Sequence, residues 1–171
     1  KHIWLVASRE LRDQMRDWRI IFPMIALTVF FPFLMMTTAR FAVEFVNKYG
    51  AGLVGERMVP FLLMVVGFFP VTVALVVALE AFVGEKERGT IEPLLSSPLA
   101  DWHLYLGKLL AGTVFPLIAA YLGISVYLFG LWSSDIPLPD ASMLAQTLVL
   151  TTAQGILMVS GAILISAQST T

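Results

Sequence analysis

Residues 109–132 read LLAGTVFPLIAAYLGISVYLFGLW, an unbroken run without a charged side chain. At 1.5 Å per residue, about 20 helical residues cross a hydrocarbon core of about 30 Å, so this run predicts a membrane span. Outward from it lie three more uncharged runs, at residues 20–39, 58–79 and 141–168. Each is long enough for the same reading. The chain therefore reads as an all-α integral membrane protein with four visible transmembrane helices. Pro23, Pro32, Pro60, Pro70 and Pro116 fall inside the runs. Spanning helices tolerate them because neighbouring helices satisfy the freed carbonyls.

Composition agrees. Of 171 residues, 58% are hydrophobic and 13% charged, where a soluble domain carries about 25% charged. Mean hydropathy is +0.83. A net charge of -1 gives no global field for nucleic acid, and the absence of cysteine excludes disulfides and thiolate sites. His2 and His103 are too far apart in sequence to suggest a metal site. The chain starts at Lys1 and stops at Thr171 just after an apolar run, which reads as a fragment. No signal-peptide pattern is visible, because the first apolar run follows a charged helix and is too long.

Residues 1–19 predict an amphipathic interfacial helix. Trp4, Leu11, Met15 and Trp18 recur near helical spacing, and Arg9, Glu10, Arg12, Asp13, Arg16, Asp17 and Arg19 fill the rest. Basic residues with tryptophan suit a helix lying in the membrane interface. A helix packed on a soluble neighbour is the alternative. Lys1, Arg9, Arg12, Arg16, Arg19, Lys86, Arg88 and Lys108 fall on one side of a four-span topology. Arg40, Lys48 and Arg57 fall on the other. The positive-inside rule then places the N-terminus and the second loop in the cytoplasm.

That second loop, residues 80–103, contains GEKERGTIEPLLSSP at 84–98. Gly89 suits a left-handed helix end, Thr90 a cap, and Pro93 a first helical turn. Ile91, Leu94 and Leu95 follow at i, i+3 and i+4, the spacing of one apolar face. Ser97-Pro98 ends this short helix, and Asp101 can cap the third span, with Trp102 and Tyr105 near the interface. Two readings stay open: a polar turn whose Ile91, Leu94 and Leu95 dip into lipid, or a helix that docks a cytoplasmic partner. A phosphate-binding loop is excluded. Gly84 and Gly89 have the glycine spacing, but Thr90 stands where lysine is required, and Glu85 and Glu87 would repel phosphate.

Residues 84–92 (GEKERGTIE), Leu94-Leu95, Ser97-Pro98 and the following Gly107-Lys108 together resemble the permease subunits of ABC-2 type transporters, with the likeness running in order along nearly the whole chain. The N-terminal segment resembles that family's elbow helix. Residues 20–171 would then be part of a six-helix transmembrane domain, with two helices beyond Thr171. The resemblance implies an exporter built from two permease subunits and a separate ATP-binding subunit. No cofactor would sit on this chain; ATP and magnesium would belong to the partner. It also implies that residues 84–98 hold a coupling helix. Glu85, Lys86, Glu87 and Arg88 would make polar contacts with the ATPase and Ile91, Leu94 and Leu95 would anchor on it, with Gly84, Gly89, Thr90, Glu92 and Pro98 completing the coupling loop.

Other functions were weighed from the residues. A channel or secondary transporter usually places ionisable groups inside the membrane, and the four runs have none. An intramembrane hydrolase would need a base beside Ser125, Ser160 or Ser166, and no histidine or carboxylate lies in the runs. Gln146, Thr151, Thr152 and Gln154 suit interhelical hydrogen bonds or a substrate path. A non-transporting scaffold would bind an ATPase without moving substrate.

Overall fold

The structure is a computed structural model that describes residues 2–50, 57–72 and 101–168. All secondary structure among the described residues is helical. Helix α1 is His2–Gln14, α2 Trp18–Tyr49, α3 Arg57–Thr72, α4 Asp101–Trp132 and α5 Ala141–Gln168. α2, α4 and α5 are long and apolar enough to cross a membrane. α3 is apolar but shorter than a span among the described residues, and the remainder of the expected run, residues 73–79, lies outside them. Among the described residues there are thus three spanning-length helices, where four spans were expected of the whole chain.

Three expected boundaries need correction. The amphipathic helix does not run to residue 19. It stops at Gln14, and a turn at Met15–Asp17 leads into α2. Asp17 is extended at φ -88° and accepts from the Arg19 backbone N–H at 2.9 Å, so it caps α2 and assigns Trp18 to that helix. α2 also overruns its expected end at residue 39 and reaches Tyr49. Arg40 and Lys48 read as loop charges, yet they sit, with Glu44 midway between them, four residues apart on a helix with no internal stop signal. Gly50, at φ +71°, supplies the stop. The third correction is at α4, which starts at Asp101, so the last residues assigned to the 80–103 loop are helical. Leu104 is already buried there.

The helices run up, down, up and down. Matched positions rise together between α2 and α4: Pro32 Cγ lies 3.5 Å from where a Gly123 Cβ would stand, a Gly130 Cβ would collide with Met36, and Arg40 bonds Ser134. α3 and α5 run the other way. Tyr127 donates to the Val59 carbonyl at 3.2 Å, and Val159 packs on Gly112. Between apolar helices in lipid the hydrophobic effect adds little, so close packing at small residues holds the bundle. The main cluster joins Ala39, Leu63, Val66, Ile124, Tyr127 and Leu131.

The α4–α5 turn closes the end opposite α1. Ile136 N–H bonds the Leu131 carbonyl and Asp135 N–H the Trp132 carbonyl, with Asp135 at φ 54°. That is a Schellman ending with aspartate where glycine is usual. Arg40 adds a tie, donating from Nε and Nη2 to Ser134 Oγ at 3.0 and 2.7 Å. Because a left-handed Cβ costs energy, Asp135→Gly should stabilise the protein by about 0.5–1 kcal/mol. A higher melting temperature by tryptophan fluorescence is the expected result.

Candidate functional site

Every residue of the expected coupling segment, Gly84, Glu85, Lys86, Glu87, Arg88, Gly89, Thr90, Ile91, Glu92, Leu94, Leu95 and Pro98, lies outside the described residues. What the structure does describe is the start of the helix that follows that segment in the sequence. The chain re-enters at Asp101, the first residue of α4. Within two turns α4 meets α1, at the Gly107-Lys108 pair.

The contact is close. A Cβ at Gly107 would stand 2.7 Å from Val6 Cγ1, 2.8 Å from Val6 Cβ and 3.3 Å from the Ile3 carbonyl. Only glycine lets the two backbones approach this far. One residue on, Lys108 Nζ sits 3.4 Å from Glu10 Oε1, with both side chains mostly buried. Ala7 and Gln14 are buried too, at 1% and 8% exposure. They recur on one face with Ile3 and Glu10. α1 therefore presents its small and polar residues to the bundle and leaves Trp4, at 69%, exposed.

The arrangement can transmit force. α4 is 32 residues long, about 48 Å at 1.5 Å per residue. Its base is clasped to α1, its middle packs on α2 through Gly123 and Gly130, and its far end is tied to α2 by Arg40 and Ser134. Asp101 thus begins a helix that contacts both α1 and α2. Sequence reasoning quoted Gly107-Lys108 as motif residues without a role and did not pair Lys108 with Glu10. The available signal was a glycine beside a lone cation at the start of an apolar helix. Charge reversal at either Glu10→Lys or Lys108→Glu should destabilise the clasp. The double swap should recover part of it, with a coupling energy of about 0.5–3 kcal/mol in a thermal-unfolding cycle.

The other polar candidates lie higher in the bundle. Thr152 Oγ1 shares a hydrogen bond with Tyr121 Oη, joining α5 to α4. Thr147 and Thr151 are buried, and Gln146 is exposed. Thr147, Thr151 and Gln154 line a cleft of about 240 Å³ between α3 and α5, with Phe61, Phe68 and Leu150 on its apolar walls. Ser125 Oγ donates to the Tyr121 carbonyl of its own helix. Among the described residues no group of three or more His, Cys, Asp or Glu could hold a metal ion.

Three helices of spanning length and composition among the described residues fit an integral membrane protein. Residues 4–171 match the family described as "ABC-2 family transporter protein", and the chain belongs to that family. It is similar to the probable ABC transporter permease protein NosY of Pseudomonas aeruginosa, 32% identical over 126 residues, covering 71% of this chain and 42% of NosY. It is also similar to the probable multidrug ABC transporter permease YbhR of Escherichia coli, 34% identical over 53 residues, 31% of this chain and 14% of YbhR. These matches span less than half the length of either relative.

Proposed function

We propose that this chain belongs to the membrane-spanning half of an ATP-driven exporter, energised by a separate ATP-binding subunit that docks on residues 84–98. In this reading the N-terminus and the docking segment are cytoplasmic. The amphipathic helix α1 rests in the membrane interface as an elbow, and the run from residue 58 forms a fourth span. A second permease subunit completes the pathway, and ATP and magnesium bind the partner. Export is the direction that the family resemblance implies.

The observation that carries the reading is the position of the clasp. Residues 84–98 are joined to α4 through a short stretch, and α4 is fixed to α1 at Gly107 and to Glu10 through Lys108. Work done on the segment by a closing ATPase would move a stiff body, because close-packed helices shift as units and not as a continuum. A flexible anchor would have no use for so tight a base.

The test starts from the full-length protein, purified from its native membrane in mild detergent, with co-purifying chains identified by mass spectrometry. A stoichiometric ATP-binding subunit is the expected result. Substrate movement driven by a proton gradient, with no such subunit bound, would instead assign the protein to secondary transport.

A further inference from the structure

We infer that the outer face of α1 is a binding surface for anionic phospholipid headgroups. Arg9 and Arg12, three residues apart, share one side of α1 as a basic stripe, and Arg16 follows in the turn that leaves the helix. All three are exposed, and none forms an ion pair among the described residues. Two nearby acids that would otherwise neutralise the stripe are engaged elsewhere. Glu10 pairs with Lys108 on the opposite face, and Asp17 is spent capping α2. Only Asp13 is left beside it, exposed and out of ion-pair range. Neighbouring like charges such as Arg9 and Arg12 destabilise a helix by about 0.2–0.5 kcal/mol. A polyanion covering the stripe removes that penalty.

The order of side chains around α1 points to a membrane as that polyanion. One face, with Ile3, Val6, Ala7, Glu10 and Gln14, is taken by the bundle. Roughly a quarter-turn away comes an apolar edge with Trp4, 69% exposed, continued past the helix end by Met15 in the turn, 62% exposed. The arginines come next, with Leu5 among them, itself 62% exposed. An apolar edge bordering a cationic stripe matches the step from acyl chains to headgroup phosphates. The depth matches too. Trp18 and Trp102, both exposed, begin α2 and α4 at the same end of the bundle, where an interfacial tryptophan belt belongs. Guanidinium forks bind phosphate oxygens in bidentate fashion.

The proposal rests on the membrane setting of this chain and not on any ATPase, so the two readings fail separately. Full-length protein in neutral detergent is titrated with short-chain phosphatidylglycerol or phosphatidylcholine, and thermal stability is read by tryptophan fluorescence. Phosphatidylglycerol should raise the melting temperature where phosphatidylcholine does not, with an apparent affinity that falls as salt rises. With about 1 kcal/mol per arginine near an anionic surface, the triple variant Arg9→Gln, Arg12→Gln, Arg16→Gln should need on the order of 100-fold more phosphatidylglycerol. Its unliganded stability should equal or slightly exceed the parent's, since the three side chains are exposed and their mutual repulsion is gone. An equal response to both lipids, a salt-independent response, or an unaltered titration in the triple variant overturns the assignment. So does a variant that keeps its lipid response and loses a co-purifying acidic partner, which would give the stripe to that partner. If the triple variant fails to fold, the parent's headgroup preference and salt dependence decide alone.

Discussion

Gly107→Leu is expected to pull α1 off α4 and lower stability by about 3 kcal/mol, the upper part of the range for overpacking a close contact. A side chain at this position meets Val6 Cβ at 2.8 Å and the Ile3 carbonyl at 3.3 Å. Both are fixed by the α1 backbone, so rotating a side chain cannot make room, and the helices must part. Removing a helical glycine gains about 0.5–1 kcal/mol by itself. The clash therefore has to outweigh a favourable term, and the sign of the result is informative. Gly161→Ala is the control. A Cβ at Gly161 has nothing within 4 Å, so only the favourable term remains and stability should rise. A fall in melting temperature for the first variant beside a rise for the second is the expected pattern. Equal changes would show that Gly107 does not mark a close approach.

The second large effect is expected at Leu95. In the docking reading Leu95 is an apolar anchor within an interface, and anchors of that kind cost about 2 kcal/mol or more when lost. Leu95→Asp should weaken association with the ATP-binding subunit by more than about thirtyfold, since each 1.4 kcal/mol is tenfold. Glu87→Lys should weaken it less if the charge lies at a solvated rim, with a stronger dependence on salt. The membrane domain should fold in both variants. Co-purification at two ionic strengths measures the pair. Undiminished association in Leu95→Asp would remove this residue from the interface.

Much of the bundle was legible in the sequence because lipid imposes a simple rule. A span needs a long run without charge, and residues 109–132 and 141–168 met it and lie within α4 and α5. Helix ends were less legible. Charge marks where lipid stops and not where helix stops, so Arg40 and Lys48 read as loop while α2 continued to Tyr49. The turn at Met15–Asp17 was hidden because Met15 and Trp18 keep the periodicity of α1 across it. The clasp was legible on one side only, as a glycine beside a lone cation at the start of an apolar helix. Glu10 and Lys108 are far apart in sequence, and no local pattern says which acid on α1 meets which base. Residues 84–98 are the reverse case: their motif was legible, while their geometry lies outside the described residues.

The account turns on whether residues 84–98 touch an ATPase. A photoreactive amino acid at position 95 of the full-length protein, irradiated in native membranes, tests this most directly. A covalent adduct with an ATP-binding subunit is the expected result. Adducts with lipid alone, in membranes where such a subunit is present, would show Leu95 dipping into the bilayer and would contradict the coupling assignment.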